Sequence, residues 1–93
     1  MGQPLPYMGE RQKPSAESHA FGAVLQDVRA SRGLTQEALA LEVGTERSHV
    51  SALERGKKAP TLATILRLAT ALNMTPGTLV DMVDERLKRR RKR

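Results

Sequence analysis

Apolar residues recur every three or four positions through most of the chain, which is the spacing of helices that bury one face. The first predicted helix covers residues 18–32, with Ser18 as its N-cap. Its buried face is one apolar stripe: Phe21, Val24, Leu25 and Val28. Gly33 is placed to end this helix in a left-handed conformation.

Residues 34–56, LTQEALALEVGTERSHVSALERG, predict two short helices joined by a turn at Gly44. The second helix begins after Thr35, whose hydroxyl suits an N-cap, and ends near Val43. The third covers about residues 45–55.

The third helix has an unusually narrow apolar face. Val50 and Leu53 are its large apolar residues, and the remaining positions are polar or small. A narrow buried stripe leaves a wide polar face that is free to contact another molecule.

A fourth helix is predicted from the N-cap Thr61 to about Asn73, and a fifth starts at Thr75–Pro76. The 93 residues allow one small domain, and with one Phe and one Tyr its core must be aliphatic. With no convincing strand or internal repeat, the sequence predicts a compact all-α fold of five helices.

The net charge of +6 is concentrated in residues 84–93, which hold seven basic and two acidic side chains. Residues 1–83 hold nine and eight, so bulk charge does not identify the predicted domain, residues 18–83, as a nucleic-acid binder. Six consecutive basic residues end the basic C-terminal tail. The tail either makes a sequence-independent contact with phosphate or is a solvated end that aids solubility.

Several classes of protein are disfavoured. The chain has no cysteine, no apolar run near the ~18–20 residues of a membrane span and no secretory leader pattern, so the cytoplasm is the expected location. His19 and His49 are isolated, and no glycine-rich phosphate loop or paired-carboxylate cleft is visible. We therefore expect no enzyme activity, no metal or cofactor, no membrane and no small-molecule effector.

Two short helices around a glycine turn are typical of a DNA-reading unit, in which the second helix enters the major groove. Its N-terminal half reaches base edges, and here that half carries Arg47 and Ser48. Ala52 lies one turn after Ser48 and is placed to touch a thymine methyl group. The alternative for Arg47 is a solvated surface arginine.

Contacts with the DNA backbone need N–H donors and cations beside the reading face. Gln36 lies in the first turn of the second helix, where free backbone N–H groups favour an anion. The predicted backbone contacts are Gln36, Thr45, His49, Ser51, Arg55, Lys57 and Lys58. For the two lysines, an ordinary solvated loop is the alternative.

Glu54 follows the apolar Leu53 and should lie at the edge of the core, where a carboxylate needs a partner. Arg29, on the polar edge of the first helix, is the candidate. We predict an Arg29–Glu54 ion pair that fixes the third helix against the first.

Residues 1–17 contain three prolines and no helical apolar period, which favours a disordered N-terminal arm. An arm that enters a DNA groove with Arg11 and Lys13 is the alternative.

Over roughly residues 21–83 the chain resembles the Cro/phage-repressor (XRE-type) helix-turn-helix family. The matching residues are Leu34–Thr35–Gln36, Leu39–Ala40, Gly44, Ser51, Glu54–Arg55–Gly56, Pro60, Leu62, Leu66, Leu68–Ala69 and Leu72. The resemblance implies a lambda-repressor-like DNA-binding domain with the three base-reading residues named above, a backbone contact from Gln36 and an Arg29–Glu54 pair. Glu46 departs from the Ser or Thr that is frequent there; it would repel phosphate, although it would accept from a cytosine.

The resemblance also implies a homodimer, because members of the family commonly bind paired half-sites. The candidate dimer surface on the fifth helix is Leu79, Val80, Met82 and Val83, unless all four complete the monomer core. The leading function is a sequence-specific transcriptional regulator that binds double-stranded DNA. The alternatives are an antitoxin-like partner of another protein and a general nucleic-acid or coactivator-type binder.

Overall fold

The computed structural model describes residues 15–91, which form five α-helices and no strand within that range. In chain order the helices are α1 (Ala16–Ser31), α2 (Gln36–Val43), α3 (Arg47–Glu54), α4 (Leu62–Ala71) and α5 (Pro76–Arg91). The predicted all-α architecture is confirmed. Residues 1–14 of the predicted arm lie outside the described residues. None of the described helices combines the length and apolarity that crossing a membrane requires.

Hydroxyl side chains fix where the helices begin. Thr35 and Thr61 cap α2 and α4 as predicted, each accepting a hydrogen bond from the backbone N–H three residues on (3.0 and 3.1 Å). The predicted cap of α1 is wrong, because Ser15 takes that place and accepts from the N–H of Ser18 (3.0 Å). The earlier start puts Glu17 in the first turn, where the helix dipole favours a carboxylate.

α4 ends before the predicted Asn73, which adopts a left-handed conformation with φ 59°. The chain turns there into α5, whose first turn is capped by Thr75. α5 then continues to Arg91, so residues 84–91 of the basic segment are helical. Arg86 in this part of α5 forms a salt bridge with Asp27 of α1 (2.9 Å).

The core is aliphatic, and every helix contributes to it. Its largest fully buried side chains are Leu25, Leu39, Val50, Leu53, Leu68, Leu72 and Leu79. α1 also passes very close to α3 at Gly22. A methyl group on Gly22 would overlap the carbonyl groups of Leu53 and Glu54, so the missing side chain sets the distance between the two helices.

Candidate nucleic-acid interface

The turn between α2 and α3 is fixed by Gly44, which has a left-handed backbone (φ 82°) that a residue with a side chain adopts only under strain. The N–H groups of Gly44 and Thr45 both donate to the carbonyl of Ala40 (2.9 Å each). Leu39 of α2 and Val50 of α3 are buried in the same core cluster. The turn and this packing together fix the angle at which α3 leaves α2.

α3 separates its buried residues from its accessible ones. Val50 and Leu53 are fully buried, whereas Arg47 and Ser48 at the N-terminal end are exposed. The other predicted contact residues of α3 itself are half-buried: His49, Ser51 and Ala52. Two of the base-reading candidates, Arg47 and Ser48, therefore stand at the free end of a helix whose opposite face is anchored in the core, and Ala52 lies one turn further along it.

Glu46 occupies the N-cap position of α3, but its carboxylate makes no capping hydrogen bond. Its Oε1 atom lies 3.5 Å from Oγ of Ser48, the outer limit of a hydrogen bond. The negative charge therefore stands beside a predicted base-reading residue, where it would repel phosphate.

A hydrogen-bonded network joins α1, α2 and α3 around Glu54, which is 8% exposed. Arg29 donates to both carboxylate oxygens of Glu54, through Nε to Oε2 (2.5 Å) and through Nη2 to Oε1 (3.1 Å). Its Nη1 atom donates to the carbonyl of Leu34 (2.7 Å), and Nε2 of Gln36 donates to Oε1 of Glu54 (2.9 Å). Within residues 15–91, no buried side-chain nitrogen or oxygen is left without a partner. Removing one member of such a network is costly, because it leaves a buried polar or charged group without its partner.

The hydrogen bond to Glu54 raises the pKa of Arg29 above its usual value; burial lowers that pKa and the charge of Glu54 raises it further. A raised pKa increases the free energy of unfolding. This increase is fully present at a pH below the pKa of the unfolded state and is lost as the pH rises through the pKa of the folded state. Arginine is protonated at any working pH even without this shift, so Arg29 stays charged throughout.

Apart from His49 and Ser51, which lie within α3, the predicted backbone contacts fall in two places. Thr45 is half-buried in the turn before α3, near Arg47. Gln36 lies instead at the Glu54 end of α3, where its side-chain amide is hydrogen-bonded. Exposed cations follow directly after Glu54 in the chain: Arg55, Lys57 and Lys58. Candidate phosphate-binding groups thus lie beyond both ends of the reading helix.

The predicted dimer residues of α5 do not share one environment. Leu79 is fully buried and belongs to the monomer core, and the partly buried Val83 packs against that core. Val80 and Met82 are 47% and 38% exposed. Leu79 is therefore not available to a partner, and the exposed part of the candidate surface is Val80 and Met82.

Two contacts have no signal in the sequence. The Gln36–Glu54 hydrogen bond joins residues 18 positions apart, and the Arg86–Asp27 salt bridge joins residues 59 positions apart. Neither follows from helical spacing, because both depend on how separate helices pack.

Comparison with known proteins agrees with this arrangement. Residues 25–79, more than half of the chain, match the helix-turn-helix family. The uncharacterized HTH-type transcriptional regulator y4dJ of Sinorhizobium fredii is 38% identical over 64 residues, which are 69% of this chain and 83% of that protein. The restriction-modification controller protein C.AhdI from Aeromonas hydrophila is 43% identical, with a TM-score of 0.68 over 70% of this chain and 98% of that chain.

The clp gene regulator ClgR from Corynebacterium glutamicum shares the fold, with a TM-score of 0.79 over 86% of this chain and 85% of that chain, at 22% identity. The family match covers α2, the turn and α3 completely, together with the core positions around them. The chain therefore belongs to the Cro/phage-repressor (XRE-type) helix-turn-helix family.

Proposed function

We propose that the protein is a DNA-binding transcriptional regulator that recognises a specific sequence by placing α3 in the major groove. The observation that carries this proposal is the division of α3 into an anchored face and an exposed end with Arg47 and Ser48. Base edges are distinguished by donors and acceptors at defined positions, so a reading helix must be held rigidly. The network around Glu54 supplies that rigidity.

The residues of the interface take different roles in this proposal. Arg47 donates two hydrogen bonds to a guanine, a discrimination of about 1–3 kcal/mol, and Ser48 meets a neighbouring base edge. Ala52 contacts a thymine methyl group. The residues that position the domain on phosphates are Gln36, Thr45, His49, Ser51, Arg55, Lys57 and Lys58.

The proposed DNA-binding unit is a homodimer on a palindromic site, in the cytoplasm. Two reading helices about 34 Å apart would enter successive major grooves on one side of the duplex. Val80 and Met82, which α5 leaves exposed, support a contact between two copies. Mass measurement at micromolar concentration should then find a dimer, and a monomer at every concentration would contradict this part of the proposal.

A narrower role is favoured by the likeness to controller proteins. C.AhdI is 43% identical over nearly its whole length, and the control protein C.BamHI of Bacillus amyloliquefaciens is 34% identical over 62 residues. We infer that the regulated genes belong to a restriction-modification system. Genes for an endonuclease and a methyltransferase beside this one would support that role, and neighbours of another kind would refute it.

Selection of bound duplexes from a random DNA pool, at a stated salt concentration, tests the proposed function. The expected result is one enriched palindromic sequence with half-sites about one helical turn apart. A pool that shows no enriched sequence after repeated rounds would overturn sequence-specific regulation and favour a general nucleic-acid binder.

A further inference from the structure

A basic groove lies between α1 and α5, away from the exposed end of α3. The residues that line it are His19, Ala20 and Ala23 of α1 and Arg86, Arg89 and Arg90 of α5. None of these lining residues is acidic. The groove is open to solvent and has a volume of about 360 Å³, which leaves room for a phosphate group.

The helix that carries the arginines of this basic groove is held in place by the fold. The arginines lie on one continuous helix, α5, and the salt bridge from Arg86 to Asp27 ties that helix to α1. The alanines of α1 form a shallow floor that lets the helices approach closely. Because the helix is fixed, its cations lie close together before an anion binds.

Charge is unequally divided between the two sides of the α1–α5 contact. The neighbouring groove, on the Met82 side, shares Arg86 and Arg89 with the basic groove and is also lined by Asp27, Asp81 and Glu85. Arg86 is already paired with Asp27, whereas Arg90 does not line the neighbouring groove, and the basic groove itself has no acidic lining residue. Like charges that converge in one groove repel each other, and an anion placed between them relieves the repulsion.

The basic groove is also continuous with the C-terminal end of α3. A methyl group on Gly56 would fall 2.5 Å from Nδ1 of His19, so the imidazole lies directly against the residue that follows Arg55. The exposed Lys57 comes next in the chain. His19 thus borders both the basic groove and the cationic loop that is proposed to lie along the DNA backbone.

We propose that the basic groove holds a DNA backbone phosphate outside the base pairs that α3 reads. This inference rests on the proposed function and extends it, because the protein would cover flanking DNA whose sequence it does not read. The contact adds affinity and salt dependence, and it leaves the choice of sequence to α3.

Arg90→Gln and Lys88→Gln form a matched pair of variants for the test. Each removes one positive charge from the same end of α5, and glutamine preserves the helix. Arg90 lines the basic groove, whereas Lys88 is exposed, lies 3.4 Å from Asp84 and does not line the groove. Melting temperatures equal to that of the wild-type protein would verify that both variants are folded.

Binding is measured over a range of salt concentrations on two duplexes that contain the selected sequence. One ends at the half-sites, and the other extends about one helical turn, ~10 bp, beyond each of them. The salt slope is the fall in log affinity per unit rise in log salt concentration. On the extended duplex, Arg90→Gln should lower this slope by about 0.9 for each groove occupied. For each occupied groove, a fourfold rise in salt should then reduce the affinity of Arg90→Gln about 3.5-fold less than it reduces that of the wild-type protein. On the short duplex Arg90→Gln should match the wild-type protein, and Lys88→Gln should match it on both.

Phosphate ethylation interference adds a direct reading of the same contact. Ethylated phosphates outside the half-sites should weaken binding of the wild-type protein and of Lys88→Gln, but not of Arg90→Gln. Equal effects of the two variants, an unchanged slope for Arg90→Gln, or a loss of slope on the short duplex would each overturn the proposal.

The test also separates this inference from the proposed function. If the random pool yields no preferred sequence, specific regulation fails, and a random-sequence duplex at low salt still compares the two variants. A lower slope for Arg90→Gln than for Lys88→Gln would then keep the groove as a DNA-binding surface. Tighter competition by single-stranded RNA than by duplex DNA would overturn it.

Discussion

α3 and the second half of α5 both present positive charge, but they hold it in opposite ways. α3 exposes Arg47 at one end of a short helix that is fixed by a buried stripe and by the network around Glu54. The second half of α5 carries a dense run of arginine and lysine on one helix, tied to α1 through Arg86. Few donors in fixed places characterise the first region, and concentrated charge characterises the second.

The difference shows why net charge is a poor guide to recognition in this protein. Phosphates attract any nearby cation, and that attraction is independent of sequence. Base edges require a particular donor at a particular position. Changes at α3 should therefore reduce discrimination between DNA sequences, and changes at α3 or at the arginines of the basic groove should reduce overall affinity.

Breaking the network that holds α3 should have the largest effect on folding. Glu54→Ala leaves donors of Arg29 and Gln36 without their acceptor in a largely buried place, at a cost of about 3 kcal/mol of unfolding free energy. Glu42→Ala, which removes an exposed glutamate from α2, should stay within about 0.5 kcal/mol. Denaturant unfolding at one protein concentration measures both, and equal stability of Glu54→Ala and the wild-type protein would contradict the role of the network.

Pushing α1 away from α3 should have the next largest effect. Gly22→Ala places a methyl group against backbone carbonyls that cannot move cheaply, so the expected cost is about 2 kcal/mol. Gly77→Ala is the control, because its added methyl group meets no atom within 4 Å; it should be neutral or stabilise by up to about 1 kcal/mol. Thermal melting that ranks Gly22→Ala equal to Gly77→Ala would show that the close contact does not set the position of α3.

Removing the base-reading donor should separate recognition from folding. Arg47→Ala should reduce discrimination by about 1–3 kcal/mol, because it deletes the proposed contact with guanine. Its unfolding free energy should change by less than about 0.5 kcal/mol, since Arg47 is exposed. Competition between the selected site and a site with its guanines replaced measures the discrimination. Arg67→Ala, which removes an exposed arginine from α4, should leave discrimination intact.

Loosening the start of α2 should give the smallest effect. Thr35→Ala removes the hydroxyl that accepts from the N–H of Ala38 and should cost about 1 kcal/mol. Thr70→Ala, which changes an exposed threonine whose hydroxyl bonds within α4, is the comparison and should not destabilise. Identical melting curves for the two variants would mean that Thr35 contributes no cap.

Local patterns predicted the features that depend on neighbouring residues. The caps at Thr35 and Thr61 and the buried stripe of α3 follow from side-chain chemistry and helical spacing. The Arg29–Glu54 contact could also be predicted, because a carboxylate beside a buried leucine needs a partner.

Features that depend on how distant helices pack were not predictable in the same way. Consecutive like charges disfavour an isolated helix, so residues 84–91 read as a tail, whereas packing of α5 on α1 supports them as helix. Apolar spacing alone also does not tell whether Leu79 faces the core or a partner. The basic groove joins residues from opposite ends of the chain, which no local motif records.

We propose that α3 determines which sequence is bound, while the arginines of the basic groove add affinity. The most direct measurement is the ratio of affinities for the selected site and for random DNA, taken together with the salt slope, for Arg47→Ala and Arg90→Gln. We expect this ratio to fall for Arg47→Ala. For Arg90→Gln the ratio should equal that of the wild-type protein, and the salt slope should be lower. An unchanged ratio for Arg47→Ala, or a reduced ratio for Arg90→Gln, would contradict this division of roles between α3 and the basic groove.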